Sequence, residues 1–292
     1  MKSILEEQQL FMQKINKKKI KSIVDEVKQK GFVVIPNLIS KKDSSNFCKQ
    51  LNDDFKKYSK FYASPGKVKK KNLQSKALEK TVFNLHNKNI NWFKLFEHPL
   101  IIQILDILLK EGSYNNKEPY YLNNISARSP LKNAHNQQLH IDSGLPGVNY
   151  LLKVNALWCL NDFNKSNGTT TVLPGSHKKK TYPEDNKIYN KLNYINAKAG
   201  SVIIFDGSLW HGGSGGKIID DDRWGLILGY ARWWIKPSFD FTKNTPSKIF
   251  NKLNNSQKKL LGFHLTSPKD EFTRVRRISD KFEKPIKYSL PK

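Results

Sequence analysis

Apolar positions recur along this chain first at helical spacing and then at strand spacing. Residues 1–30 are polar and lysine-rich and read as a helical arm that Gly31 stops. Phe32–Ile35 is a short apolar run ended by Pro36, as in a strand. Ser40 with Asp43 three positions on forms a capping signature, and Phe47, Leu51 and Phe55 follow at every fourth residue. That spacing predicts an amphipathic helix with one face on a core. Residues 62–80 are polar and basic around Pro65-Gly66 and read as a loop. A second helix is predicted over about 98–111; it is apolar on most sides, hence buried, and ends at Gly112. Strand signals then run from about Tyr120 to Trp234, broken by turns at Ser129-Pro130, Pro146-Gly147, Asn167-Gly168, Pro174-Gly175 and Asp206-Gly207. Residues 177–193 read as a charged surface excursion, and 238–292 carry helical and then irregular signals.

Many short strands behind a helical segment predict a mainly β fold with flanking helices. The expected architecture is a double-stranded β-helix, a cupin-like jelly roll of two packed antiparallel sheets. A single domain fits all 292 residues, with a core over about 20–237, an N-terminal arm at 1–19 and a C-terminal extension at 238–292. The space between such sheets suits a small ligand.

The two-residue strand period brings out the chemistry. His140 and Asp142 share one strand face while Ile141 points away. His211 closes a second β-rich run, Ala199–Trp210, and would come from a strand laid alongside. Two imidazoles and one carboxylate are the ligand set of the facial triad that leaves three positions open on iron(II). An ordinary hydrogen-bonded His-Asp pair is the plain alternative. Past a glycine-rich connection, Arg223, Gly225, Ile227 and Gly229 fall on one strand face, and Trp224, Leu226, Leu228 and Tyr230 on the other. The glycines leave room beside the guanidinium, which suits a two-pronged grip on a carboxylate. A salt bridge to Asp220, Asp221 or Asp222 is the plain alternative there.

Taken in order, Gly31–Ile39, Gln138–Asp142, Asn167–His177 (NGTTTVLPGSH), Gly200–His211 and Arg223 resemble the phytanoyl-CoA dioxygenase family of iron(II)/2-oxoglutarate-dependent oxygenases. The resemblance runs over roughly residues 20–237. It implies His140, Asp142 and His211 as iron ligands and Arg223 as the anchor for the distal carboxylate of 2-oxoglutarate. It also implies Trp158, within Asn155–Leu160, as an aromatic lining the co-substrate pocket. Family members often carry a serine two residues after the second histidine, where this chain has Gly213 followed by Ser214. The implied reaction is hydroxylation of a substrate C–H bond, with iron(II), dioxygen and 2-oxoglutarate, which leaves as succinate and carbon dioxide. The carboxylate at Asp142 argues against a halogenase, since family halogenases leave that ligand position vacant. The competing readings are a metal-binding jelly roll without turnover and a nucleic-acid-directed oxygenase.

Composition narrows the partners. The chain carries 51 basic and 25 acidic residues, a net charge of +26, which favours anionic small-molecule substrates. Lysine predominates in short scattered runs, and no nucleic-acid-reading motif accompanies it, so a nucleic-acid partner is not expected. The most apolar run, Pro99–Leu109, is too short to span a membrane, and no signal-peptide core is present. Cys48 and Cys159 stand in apolar company and read as buried thiols, consistent with a reducing, cytoplasmic setting. The clustered Trp210, Trp224, Tyr230, Trp233 and Trp234 read as core. Of the other histidines, His98 reads as a helix cap, His86 and His264 as surface residues, and His177 as an orderer of its turn. Gln138 shares the face of His140 and is a candidate contact either to the substrate or to the ligands themselves.

Overall fold

Two antiparallel sheets face each other in the computed structural model, which describes residues 17–61, 79–111, 119–132, 134–216, 222–267 and 288–291. The large sheet has the order β1 (Phe32–Ile35), β7 (Ser201–Asp206), β4 (Lys153–Cys159), β9 (Gly225–Arg232), β3 (Tyr120–Pro130), β2 (Glu79–Phe83). The small sheet has the order β6 (Asn193–Tyr194), β5 (Thr170–Val172), β8 (His211–Gly213). This is the expected double-sheet jelly roll with helices on one side, although the sheets do not close into a barrel.

The period of two assigns every residue of the large sheet to an outer or an inner face. Val154, Ala156 and Trp158 of β4 and Trp224, Leu226, Leu228 and Tyr230 around β9 lie on the outer face. They pack with Ile101, Ile104, Leu105 and Leu108 of helix Pro99–Lys110 and with Ile20, Val24 and Val27 of helix Lys17–Lys30. Burial of each large apolar side chain there contributes about 1.5–3 kcal/mol. Leu157, Ile203 and Phe205 point inward, where they meet Val172 of the small sheet and Phe163 and Leu209 of the connections. The space between the sheets is thus apolar at one end, and its other end holds the polar cluster described below.

Several local expectations hold. Ser40 caps helix Lys41–Tyr58, its hydroxyl accepting from Asp43 N at 3.0 Å; such a cap is worth about 1 kcal/mol. Phe47 and Leu51 of that helix are buried. Gly31 takes φ +89°, a conformation open to glycine, and its N–H closes the preceding helix on Val27 O. Both cysteines are free, and Cys159 is buried.

Others need correction. Glu79 and Lys80, expected in a loop, begin strand β2, whose Thr81 and Phe83 pair with Arg128 and Ser126; residues 62–78 lie outside the described residues. Trp233 and Trp234 are not core: they lie beyond the last strand pairing and are 54% and 50% exposed. His86 is fully buried, not on the surface: Nε2 lies 2.7 Å from Asn244 Oδ1 and the ring stands edge-on to Phe241. His98 occupies the cap position of its helix without making the cap bond, and packs instead on Trp158. Beyond residue 238, Phe241, Phe250, Leu253, Leu260 and Phe263 join the main core, so this part of the extension is integral to the fold. No described helix is long and apolar enough to cross a membrane.

Candidate active site

His140 sits in a segment that pairs with the small sheet at one point. His140 N donates to His211 O at 2.9 Å and His211 N to His140 O at 3.1 Å. On either side, Gln137 N donates to Gly213 O at 2.8 Å and Asp142 N to Gly207 O at 2.6 Å. The expected strand at Gln138–Asp142 is therefore a single bridge flanked by isolated bonds. The glycines after His211 permit this close approach. A Cβ at Gly212 would stand 3.0 Å from Gln137 O, and one at Gly215 only 1.6 Å from Ala134 O.

This pairing puts both imidazoles on one side, with ring centroids 4.4 Å apart. His140 Nε2 lies 3.7 Å from Asp142 Oδ1, and His211 Nε2 lies 3.7 Å from Asp142 Oδ2. One donor atom from each of the three lies within 4.8 Å of the others. Each histidine turns its other nitrogen to the carbonyl two residues before it: His140 Nδ1 to Gln138 O at 3.1 Å, His211 Nδ1 to Leu209 O at 2.9 Å. A carbonyl accepts only from an N–H, so each ring carries a proton on Nδ1, which leaves Nε2 as the nitrogen turned toward a metal. Burial pushes His211 down to about 4, which keeps it neutral at pH 7. Burial would raise the Asp142 carboxyl, but His211, Lys153, His140 and Arg128 outweigh it and hold the group below the usual range. Two imidazoles and an ionised carboxylate fit a divalent metal.

Two inward-facing residues of β4 complete the surroundings. Asn155 Nδ2 donates to Asp142 Oδ2 at 3.0 Å, and Lys153 Nζ stands 4.0 Å from the same oxygen. Neither was singled out in the sequence, although two polar residues two apart in an apolar strand were a usable signal.

Arg223 lies just before β9, and its guanidinium carbon stands 3.9 Å over the Phe163 ring. Nε is buried with no hydrogen-bond partner among the described residues. Burial pushes the group down to about 10, so it stays cationic at neutral pH. Asp222, one of its candidate salt-bridge partners, instead pairs with Lys80 at 2.7 Å; Asp220 and Asp221 lie outside the described residues. The room beside Gly225 is real but occupied: a Cβ there would meet Phe163 Cζ at 2.7 Å and Arg223 Nη1 at 3.4 Å.

Trp158 is not brought to this cluster. Asn155 and Lys153 fix the odd positions of β4 as inward, so Trp158 points outward and is fully buried against His98, ring centroids 5.5 Å apart. At Gly213 the space a side chain would take is filled by Gln137, whose Oε1 accepts from Gly213 N at 2.9 Å and would lie 3.1 Å from a Cβ. Ser214 does not substitute for the absent serine, because its hydroxyl donates to Thr169 O and accepts from Thr169 N. Gln138 Nε2 donates to Asn186 on the charged excursion, and His177 Nε2 lies 3.1 Å from Lys28 O, tying its turn to the first helix.

A jelly roll with a 2-His-1-carboxylate cluster between its sheets defines the class of non-heme metal-dependent oxygenase folds. Residues 27–217 match the phytanoyl-CoA dioxygenase (PhyH) family, and the chain belongs to that family. The match contains His140, Asp142 and His211 and ends before Arg223. The dioxygenase af480 of Aspergillus fumigatus is 26% identical over 185 residues, 62% of this chain and 57% of that protein. The chain thus spans under two thirds of that relative's length. Among solved structures, the non-heme alpha-ketoglutarate-dependent epimerase SnoN from nogalamycin biosynthesis superposes with a TM-score of 0.57 at 17% identity, covering 79% of this chain and 91% of that one. HygX from Streptomyces hygroscopicus, solved with nickel and 2-oxoglutarate bound, gives 0.55 at 17% identity over 75% and 87%. At these identities the likeness is one of fold.

Proposed function

We propose that this protein is an iron(II)/2-oxoglutarate-dependent dioxygenase that hydroxylates a C–H bond of a small-molecule substrate. The carrying observation is the pair of backbone-locked imidazoles that aim Nε2 lone pairs at the space beside the Asp142 carboxylate. His140, Asp142 and His211 would hold the metal, and Arg223 the distal carboxylate of the keto acid. The bound iron supplies dioxygen activation coupled to oxidative decarboxylation of 2-oxoglutarate to succinate and carbon dioxide.

The chain's own residues bind, orient and exclude water. Gln138 O and Leu209 O hold the imidazole tautomers. Asn155 fixes one carboxylate oxygen of Asp142. Arg223, clamped on Phe163 and dry at Nε, offers its remaining N–H fork to a carboxylate in a low-dielectric setting. Leu157, Ile203, Phe205 and Ile227 form an apolar wall on the inner side of the space. SnoN is named an epimerase, so this fold accommodates outcomes other than hydroxylation.

The test is succinate formation from 2-oxoglutarate in air with iron(II), measured for the natural chain and for His140→Ala. Iron-dependent succinate that vanishes in the variant is the expected result. An absence of iron-dependent consumption by the natural chain, with and without a library of small acids, would overturn the oxygenase reading and favour a metal-binding jelly roll.

A further inference from the structure

Strand β4 starts with a lysine whose ammonium has no hydrogen-bond partner among the described residues. Lys153 is only 7% exposed; its Nζ lies 4.0 Å from Asp142 and within electrostatic reach of Arg128, which is itself paired with Glu79. It lies on the inner face, opposite Ala231 and beside Gly229. A Cβ at Gly229 would stand 2.7 Å from Lys153 Cε, 3.2 Å from Nζ and 3.2 Å from Asn124 Cβ. Gly229 therefore clears space for this lysine side chain, as Gly225 does for the Phe163 ring beneath the Arg223 guanidinium. The two glycines are four residues apart, roughly 13 Å along the strand, so the two cations lie beside different ends of this face.

A buried ammonium beside a metal-binding carboxylate is costly. It competes for that carboxylate and repels any cation placed there. The position becomes favourable once an anion lies between the lysine and the metal site. A five-carbon diacid spans roughly 5 Å between its end carbons, from four bonds of about 1.5 Å. With one carboxylate on Arg223 and the other end at the metal site, both ends of the keto acid are committed, which leaves the Lys153 ammonium to a different anion. The inner face along the lysine's own strand is apolar: Leu157 of β4 stands opposite Ile227 of β9.

We propose that Lys153 is a second anion-binding cation of the pocket and that it holds a carboxylate of the primary substrate, an acid with an apolar body. Asn124, beside Gly229, and Ser126, two residues along β3, supply neutral polar groups on the same face. This proposal rests on the metal- and 2-oxoglutarate-binding reading of the site.

Calorimetric titrations of the full chain test it, with manganese(II) as a redox-inert metal, then 2-oxoglutarate, then n-octanoate or octanamide as probes. The natural chain, loaded with both, should bind octanoate at least about tenfold tighter than the amide, as a charge-assisted contact requires. Lys153→Met should lose that preference, keep 2-oxoglutarate affinity within about threefold, and bind manganese several-fold tighter without acid because a repelling charge is gone. Lys153→Arg should retain part of the preference. A natural chain indifferent to acid and amide, or a preference that survives in Lys153→Met, would overturn the proposal. So would a Lys153→Met that weakens 2-oxoglutarate alone, which would give the lysine to the co-substrate. If the natural chain binds no 2-oxoglutarate with metal present, the underlying reading fails instead, and that result is distinct from the others.

Discussion

Asn155 reaches from the centre of the large sheet to Asp142 and donates to its Oδ2 at 3.0 Å. The carboxylate is thus oriented by a strand 13 residues further along the chain, and the two sheets must be docked for it to point correctly. Asn155→Leu should lower metal affinity about ten- to a hundredfold, the usual effect of removing a partner that orients a ligand. Titration of manganese(II) or iron(II) into both proteins measures this; equal affinities would mean that Asp142 is positioned by its backbone bonds alone.

Arg223→Ala should raise the KM for 2-oxoglutarate roughly ten- to a hundredfold and leave metal affinity nearly unchanged. A hydrogen bond to a charged group is worth about 1.5–3 kcal/mol. Arg223→Lys should recover only part of the loss, because an ammonium lacks the planar fork. A variant that binds the keto acid as tightly as the natural chain would place the anchor elsewhere.

Gly215→Ala tests the close approach that brings His140 to His211. Its Cβ would fall 1.6 Å from Ala134 O, so the segment leading to His140 must shift. Overpacking of this kind costs about 1–3 kcal/mol. Metal binding should weaken and Tm should fall by several degrees; retention of both would show that the segment relaxes without moving the histidine.

His86 predicts an acid-sensitive fold. Burial pushes it down to about 3 from an ordinary 6.5, so it is neutral in the native state over most of the acid range. Between those values the unfolded chain binds the extra proton. Stability is therefore fully present above about pH 6.5 and falls as the pH drops toward 3, at up to about 1.4 kcal/mol per unit. His98, pushed down to about 4 by burial, adds to the same limb. Urea midpoints across that range should fall less steeply for His86→Gln. Parallel curves would mean that His86 accepts its proton in the fold.

The sequence was most legible where residue type and spacing coincide. His140, Asp142, His211 and the alternating faces around β9 were readable because few other residues compete for those roles. The faces of β4 were hidden because all seven of its residues are buried. With no wet face, the alternation of apolar and polar residues disappears, and Trp158 could be placed on either side. Lys153 and Asn155 carried the missing register. The burial of His86 is not legible locally because its partner, Asn244, lies 158 residues away. Strand β2 was missed because EKTVF has a polar start and gains its strand character by pairing with β3.

Both histidines of the cluster take their proton-fixing acceptor from the carbonyl two residues before them, Gln138 O and Leu209 O. Every amino acid supplies a carbonyl, so this restraint survives any replacement of those two side chains that keeps the backbone path. The donor geometry is therefore insulated from sequence change around it. Loops around the cluster can diversify over evolutionary time without retuning these histidines, and a laboratory library can vary the exposed side chain at position 138 freely, whereas Leu209, packed between the sheets, has to stay apolar.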